Sequence, residues 1–88
     1  GQDAQRLMDV AALHINRFFA SHHGDLPASG LYQRVMEEVE KPLIMATLRA
    51  TSGNQIKAAE VLGVNRNTLR KKITTLGLDH DLKDLLRR

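Results

Sequence analysis

Six side chains with hydrogen-bonding or cationic heads fall within one short stretch: Arg66, Asn67, Thr68, Arg70, Lys71 and Lys72. Their chemistry suits the edges and phosphates of nucleic-acid bases. An arginine fork pairs bidentately with guanine O6 and N7, an asparagine amide with adenine N6 and N7, and a lysine ammonium neutralises a phosphate. The spacing sorts them. On a helix through these residues, Leu69, Ile73 and Leu76 point one way at i, i+4 and i+7. Asn67, Lys71 and Thr74 then point the opposite way, flanked by Arg70, with Arg66 in the first turn. Arg66, Asn67, Arg70 and Lys71 are therefore expected to face a groove. Thr68 and Lys72 lie to the side, where phosphates run. Asn54 and Lys57, nine or more residues before Arg66, are placed for the nucleic-acid backbone, since a helix start offers free N–H groups to a phosphate.

Such residues need a frame. Residues 53–76, GNQIKAAEVLGVNRNTLRKKITTL, read as two short helices and a tight turn. Asn54 has the side chain to cap a helix over Gln55 to Leu62, with Ala58, Ala59 and Leu62 inward. Gly63 permits the sharp turn, Val64 is expected in the corner, and Asn65 caps the next helix, which Gly77 ends. Two adjacent alanines let another helix approach closely. A short helix, a glycine turn and a second helix with a basic outer face form the layout of a helix-turn-helix reader of the DNA major groove.

Charge supports that placement. The chain carries a net charge of +3 over 88 residues, which is mild, but residues 53–78 hold Lys57, Arg66, Arg70, Lys71 and Lys72 against Glu60 alone. Residues 1–52 are slightly acidic and residues 79–88 balanced. A localised basic patch is an electrostatic footprint for a polyanion. With only Phe18, Phe19 and Tyr32 as aromatics, a stacking groove for single strands is not expected. A-form RNA closes its major groove to a recognition helix.

The flanking residues look like a device for holding two copies. Residues 3–22 read as a first helix with Leu7, Met8, Ala11, Ile15, Phe18 and Phe19 on one face, Asp3 at its start and Gly24 past its end. His23 to Gly30 form a loop. A second helix runs from near Ser29 toward Ser52, with Leu31, Val35, Val39, Leu43, Ala46 and Leu48 as its apolar positions and Gly53 as its left-handed terminator. Pro42 interrupts it. Either the helix bends there or it ends near Lys41 and another begins; the apolar register across the proline favours a bend. Two long amphipathic helices are more than two short ones cover, so a homodimer joined in a four-helix bundle is expected. Residues 79–88 form either a short packed helix or a frayed tail. The chain thus divides into dimerisation helices (1–52), a helix-turn-helix (53–78) and a C-terminal tail (79–88), all of one all-α fold.

Other chemistries find no footing. There is no cysteine, which fits a reducing compartment such as the cytoplasm. No apolar run is long enough to span a membrane. His14, His22, His23 and His80 lack metal-ligand spacing. No nucleophile pairs with a base, and no glycine loop cradles phosphate, so neither an enzyme nor a cofactor is expected. Met8, Met36 and Met45 read as core. The chain opens Gly1-Gln2 without an initiator methionine, as expected of one domain from a longer protein.

The strings EVEKPL at 38–43, GNQ-x-KAA and NRNTLRKK resemble the Fis family, in particular the DNA-binding domain of its NtrC-like activators, over roughly residues 30–78. The resemblance implies a homodimer through the first two helices, a proline-kinked second helix and palindromic enhancer sites. It implies Asn65, Arg66, Thr68, Arg70, Lys71 and Lys72 as the main DNA contacts, with Asn54 and Gln55 on the backbone. It also implies action on sigma-54 RNA polymerase through a receiver and an ATPase that residues 1–88 do not contain. Asn67 and Ile56 depart from Fis itself, which has glycine and threonine there. Both departures disfavour a weakly specific, architectural role. A helical dimerisation module without DNA binding is the remaining alternative; it leaves the four cations of residues 66–72 without a role.

Overall fold

The computed structural model describes residues 2–87, with side chains from Gln5 onward. It is all-helical among these residues: α1 (Gln2–Ala20), α2 (Leu31–Ala50), α3 (Gln55–Leu62), α4 (Arg66–Thr75) and α5 (Asp79–Leu86). The chain separates into two compact units, Gly1–Leu31 and Tyr32–Arg88.

In the first unit, the stripe predicted for α1 forms as helix but stays exposed: Leu7, Met8, Leu13, Ile15, Phe18 and Phe19 all keep substantial solvent contact. The expected Asp3 cap lies outside the described side chains. The helix ends on its own side chains. Ser21 Oγ donates to the Phe18 carbonyl at 2.7 Å, and His22 Nδ1 reaches the same oxygen at 2.7 Å. The His22 ring sits edge-on to Phe18, centroids 4.7 Å apart. His22 thus finishes a helix, as side chains do where the last carbonyls lack partners.

In the second unit, α2 runs unbroken through Pro42, so the continuous reading holds. The apolar positions expected from the sequence are mostly not the ones that meet the core. Of Leu31, Val35, Val39, Leu43, Ala46 and Leu48, only Leu48 is buried; the buried positions are Ile44, Met45, Thr47 and Leu48. The helix carries apolar residues on two sides. Ile44, Met45 and Leu48 join Ala58 and Ala59 of α3, Leu69 and Ile73 of α4, and Leu78 and Leu82 in one core. Val39 and Leu43 lie on the far side and remain exposed, and Met36, also exposed, lines the groove toward α4. Thr47 enters the core because its hydroxyl donates to the Leu43 carbonyl at 2.8 Å, so no polar atom is orphaned.

The end of α2 also differs from expectation. The residue that turns left-handed first is Ser52 (φ 54°), followed by Gly53 (φ 81°). Ser52 N donates to the Arg49 carbonyl (3.2 Å) and Gly53 N to that of Leu48 (2.7 Å). That is a Schellman closure, with serine in the place glycine favours. Past the helix-turn-helix, residues 79–86 are helical, not frayed. Leu82 is buried and Leu85 packs against the core. A helix this short is marginal alone, and burial of its leucines is what holds it.

Candidate nucleic-acid interface

The second unit builds the helix-turn-helix much as the sequence predicts. Asn54 Oδ1 accepts from Lys57 N at 3.1 Å, capping α3. Gly63, at φ 75°, closes it, with Val64 N donating to the Ala59 carbonyl at 3.0 Å. Asn65 Oδ1 then accepts from Asn67 N at 2.7 Å and starts α4. Asn65 spends its oxygen on the helix and keeps its NH₂ free to donate outward. Gly77 ends α4, with Leu78 N reaching the Ile73 carbonyl at 2.8 Å. Ala58 and Ala59 are buried, so α3 and the inner side of α4 meet closely. Val64 departs from expectation: it is about a third exposed rather than in the corner.

Seated on Leu69 and Ile73, both buried, α4 turns its other side outward. Arg66, Asn67, Thr68, Arg70 and Lys71 are all exposed. The structure sorts the predicted residues onto two flanks. On one, Asn54, Gln55, Arg66, Asn67 and Arg70 line a single open cleft of about 470 Å³, together with Gly53 and Ile56. This brings the start of α3 to the first turn of α4, and so joins the positions expected to bind backbone to those expected to read bases. On the other flank, Thr68, Lys71 and Lys72 face the N-terminal half of α2 across a groove of about 730 Å³. Lys57 is exposed and lines neither.

Lys72 is the departure. Expected as a phosphate contact, it is only partly exposed, and its Nζ lies 2.6 Å from Glu40 Oε2. Glu40 is the residue that sequence reasoning missed. It is 32 positions away, so no local spacing links the two. Only the packing of α2 on α4 does.

Among the described residues no cluster of acidic, histidine or cysteine side chains could hold a metal ion. None of their helices is long and apolar enough to cross a membrane.

Residues 35–76 match the family described as bacterial regulatory protein, Fis family. Over 65 residues, 74% of this chain, the sequence is 58% identical to a protein of Azospirillum brasilense named DNA-binding transcriptional regulator NtrC. It is 62% identical to the protein of that name from Rhizobium meliloti (strain 1021), and 49% to that from Bradyrhizobium sp. (strain RP501 Parasponia). The matched stretch is 14% of the Azospirillum protein's length and 13% of the Rhizobium one's. No solved structure matches.

Proposed function

The chain carries a Fis-family helix-turn-helix, a DNA-binding domain, over residues 35–76, and from that premise we propose that it binds double-stranded DNA sequence-specifically, as a homodimer at palindromic enhancer sites. It serves as the DNA-binding domain of an NtrC-like activator, working in the bacterial cytoplasm. The activator's effect on sigma-54 RNA polymerase is exerted by other domains of the longer protein.

The observation that carries the reading is the two-sidedness of α4. Its inner side is fixed in a core by Leu69 and Ile73, while Arg66, Asn67, Thr68, Arg70 and Lys71 are all presented outward. A rigid helix offering arginine and asparagine at its first turn suits base edges in the major groove. Asn54, Gln55, Lys57 and the Asn65 amide supply backbone contacts around it. The dimer is supported by the second apolar side of α2, with Val39 and Leu43 exposed, and by the exposed stripe of α1. Unpartnered faces of this size on both long helices suit a four-helix bundle between two copies. No catalytic role is assigned to any residue.

Electrophoretic titration of the protein with duplexes bearing and lacking an enriched site tests the reading. Preference for the enriched duplex at physiological salt supports it. Equal binding to any polyanion, heparin included, would reduce it to a generic basic patch.

A further inference from the structure

The groove between α2 and α4 opposes charges of two signs. Glu37 and Glu40 stand on the α2 wall, and Lys71 and Lys72 on the α4 wall. The Glu40–Lys72 contact joins two helices and is partly shielded, with the glutamate side chain 26% exposed. The ion pairs Lys41–Glu38, His80–Asp84 and Arg87–Asp84 instead join residues three or four apart within a helix. Such local pairs at 3.4 to 3.9 Å contribute little. Lys72 shares the groove side of α4 with Lys71 and Thr68, away from Asn67, and among these it is Lys72 that meets a carboxylate.

We infer that Glu40 is a positioning residue of the DNA interface: it holds the Lys72 ammonium on α2, so that Lys72 sets the seat of the recognition helix and is withheld from phosphate. The inference rests on the DNA-binding reading above. It assigns the phosphate edge to Lys71 and Thr68, and makes the acidic wall of α2 a limit on non-specific attraction. A phosphate approaching Lys72 must displace a carboxylate already in place and then sit beside Glu37. Non-specific affinity comes almost wholly from phosphate contacts, whereas base contacts carry selectivity. Masking one lysine therefore removes the same attraction from random DNA and from the chosen site, and lowers affinity without altering selectivity.

The test compares the parent, Lys72→Met, Glu40→Gln and the double variant. Binding to an enriched duplex and to a random-sequence duplex is titrated in potassium chloride, and each protein's thermal midpoint is recorded. Lys72→Met is expected to keep the parent's salt slope, because that charge does not meet the DNA. Glu40→Gln frees the lysine, so its log–log slope steepens by about 0.9. The ratio between enriched and random duplexes should stay as in the parent, since a phosphate contact serves every sequence alike. In the Lys72→Met background, Glu40→Gln should leave the slope unchanged. Each single variant should lower the thermal midpoint, and the double variant no further than one of them. A slope flattened by about 0.9 in Lys72→Met would overturn the inference and return Lys72 to the phosphate edge. So would an unchanged slope in Glu40→Gln, or thermal shifts that simply add. A parent with no preference for duplex DNA would instead sink the DNA-binding reading, and the thermal cycle would still decide whether the pair positions α4.

Discussion

At the residue scale, the groups on α4 divide by what they touch. Arg66 stands exposed in the first turn and lines one cleft with Asn67 and Arg70. Arg66→Ala should cost about 1–3 kcal/mol at its cognate base pair and relax specificity there. Competition titrations with single-base variants of an enriched site measure this. Lys71, a point charge, should behave otherwise. Lys71→Ala should weaken every duplex alike and reduce the salt slope by about one unit. The caps carry a separate, structural cost. Asn65→Ala should destabilise the domain by about 1 kcal/mol through loss of the bond to Asn67 N, visible as a lower urea midpoint. These roles are legible in sequence wherever they are local. Asn54, Gly63, Asn65 and Gly77 act within two or three residues of themselves, so their spacing announces them. Lys72 was not legible. Its charge is plain, but the carboxylate that holds it arrives from another helix through the fold.

At the element scale, α2 is the helix that links the two halves of the design. Its continuity through Pro42 was readable from the apolar register. Its inner face was not, because the helix is apolar on two sides. Periodicity cannot say which side meets the core when both fit. Ile44, Met45 and Leu48 go inward since they lie where α3, α4 and α5 converge. The junction after α2 is the weak point. Ser52 sits left-handed at φ 54°, a conformation that costs a side-chain-bearing residue about 1 kcal/mol. Ser52→Gly should therefore stabilise the domain by up to that amount. Gly53→Ala should do the reverse. Gly53 is also left-handed, and an added Cβ would come within 2.5 Å of Leu86 Cδ2. Thermal melting of both variants checks the opposite signs. The contact also shows what α5 does: its last turn lies over the entry to α3, the same entry that lines the cleft with Arg66 and Arg70. α5 stays open in the sequence because a segment of three leucines and mixed charges is helical only once it has a surface to pack on.

At the scale of the whole molecule, the proposed function has one copy of the interface read one half-site, which requires a second copy held at a fixed distance. The exposed apolar sides of α1 and α2 are the surfaces available for that. Val39→Glu with Leu43→Glu places two carboxylates on the far side of α2, outside the core of the helix-turn-helix. The pair should leave the thermal transition of that core in place and convert the dimer to a monomer in sedimentation at micromolar concentration. Affinity for a two-fold site should fall with it, while binding to an isolated half-site stays. The overall class was legible because two periodicities, a localised charge and two glycine turns agree. The partner copy stays an inference from unburied surface.

In the proposed dimer, two outward-facing α4 helices read an inverted repeat in duplex DNA, and selection of bound molecules from random duplexes tests this. The expected outcome is enrichment of a palindrome whose half-sites are centred about one helical turn, roughly 10–10.5 base pairs, or a multiple of it apart. Recovery of sequences with no shared motif, or of a lone half-site without a repeat, would contradict it.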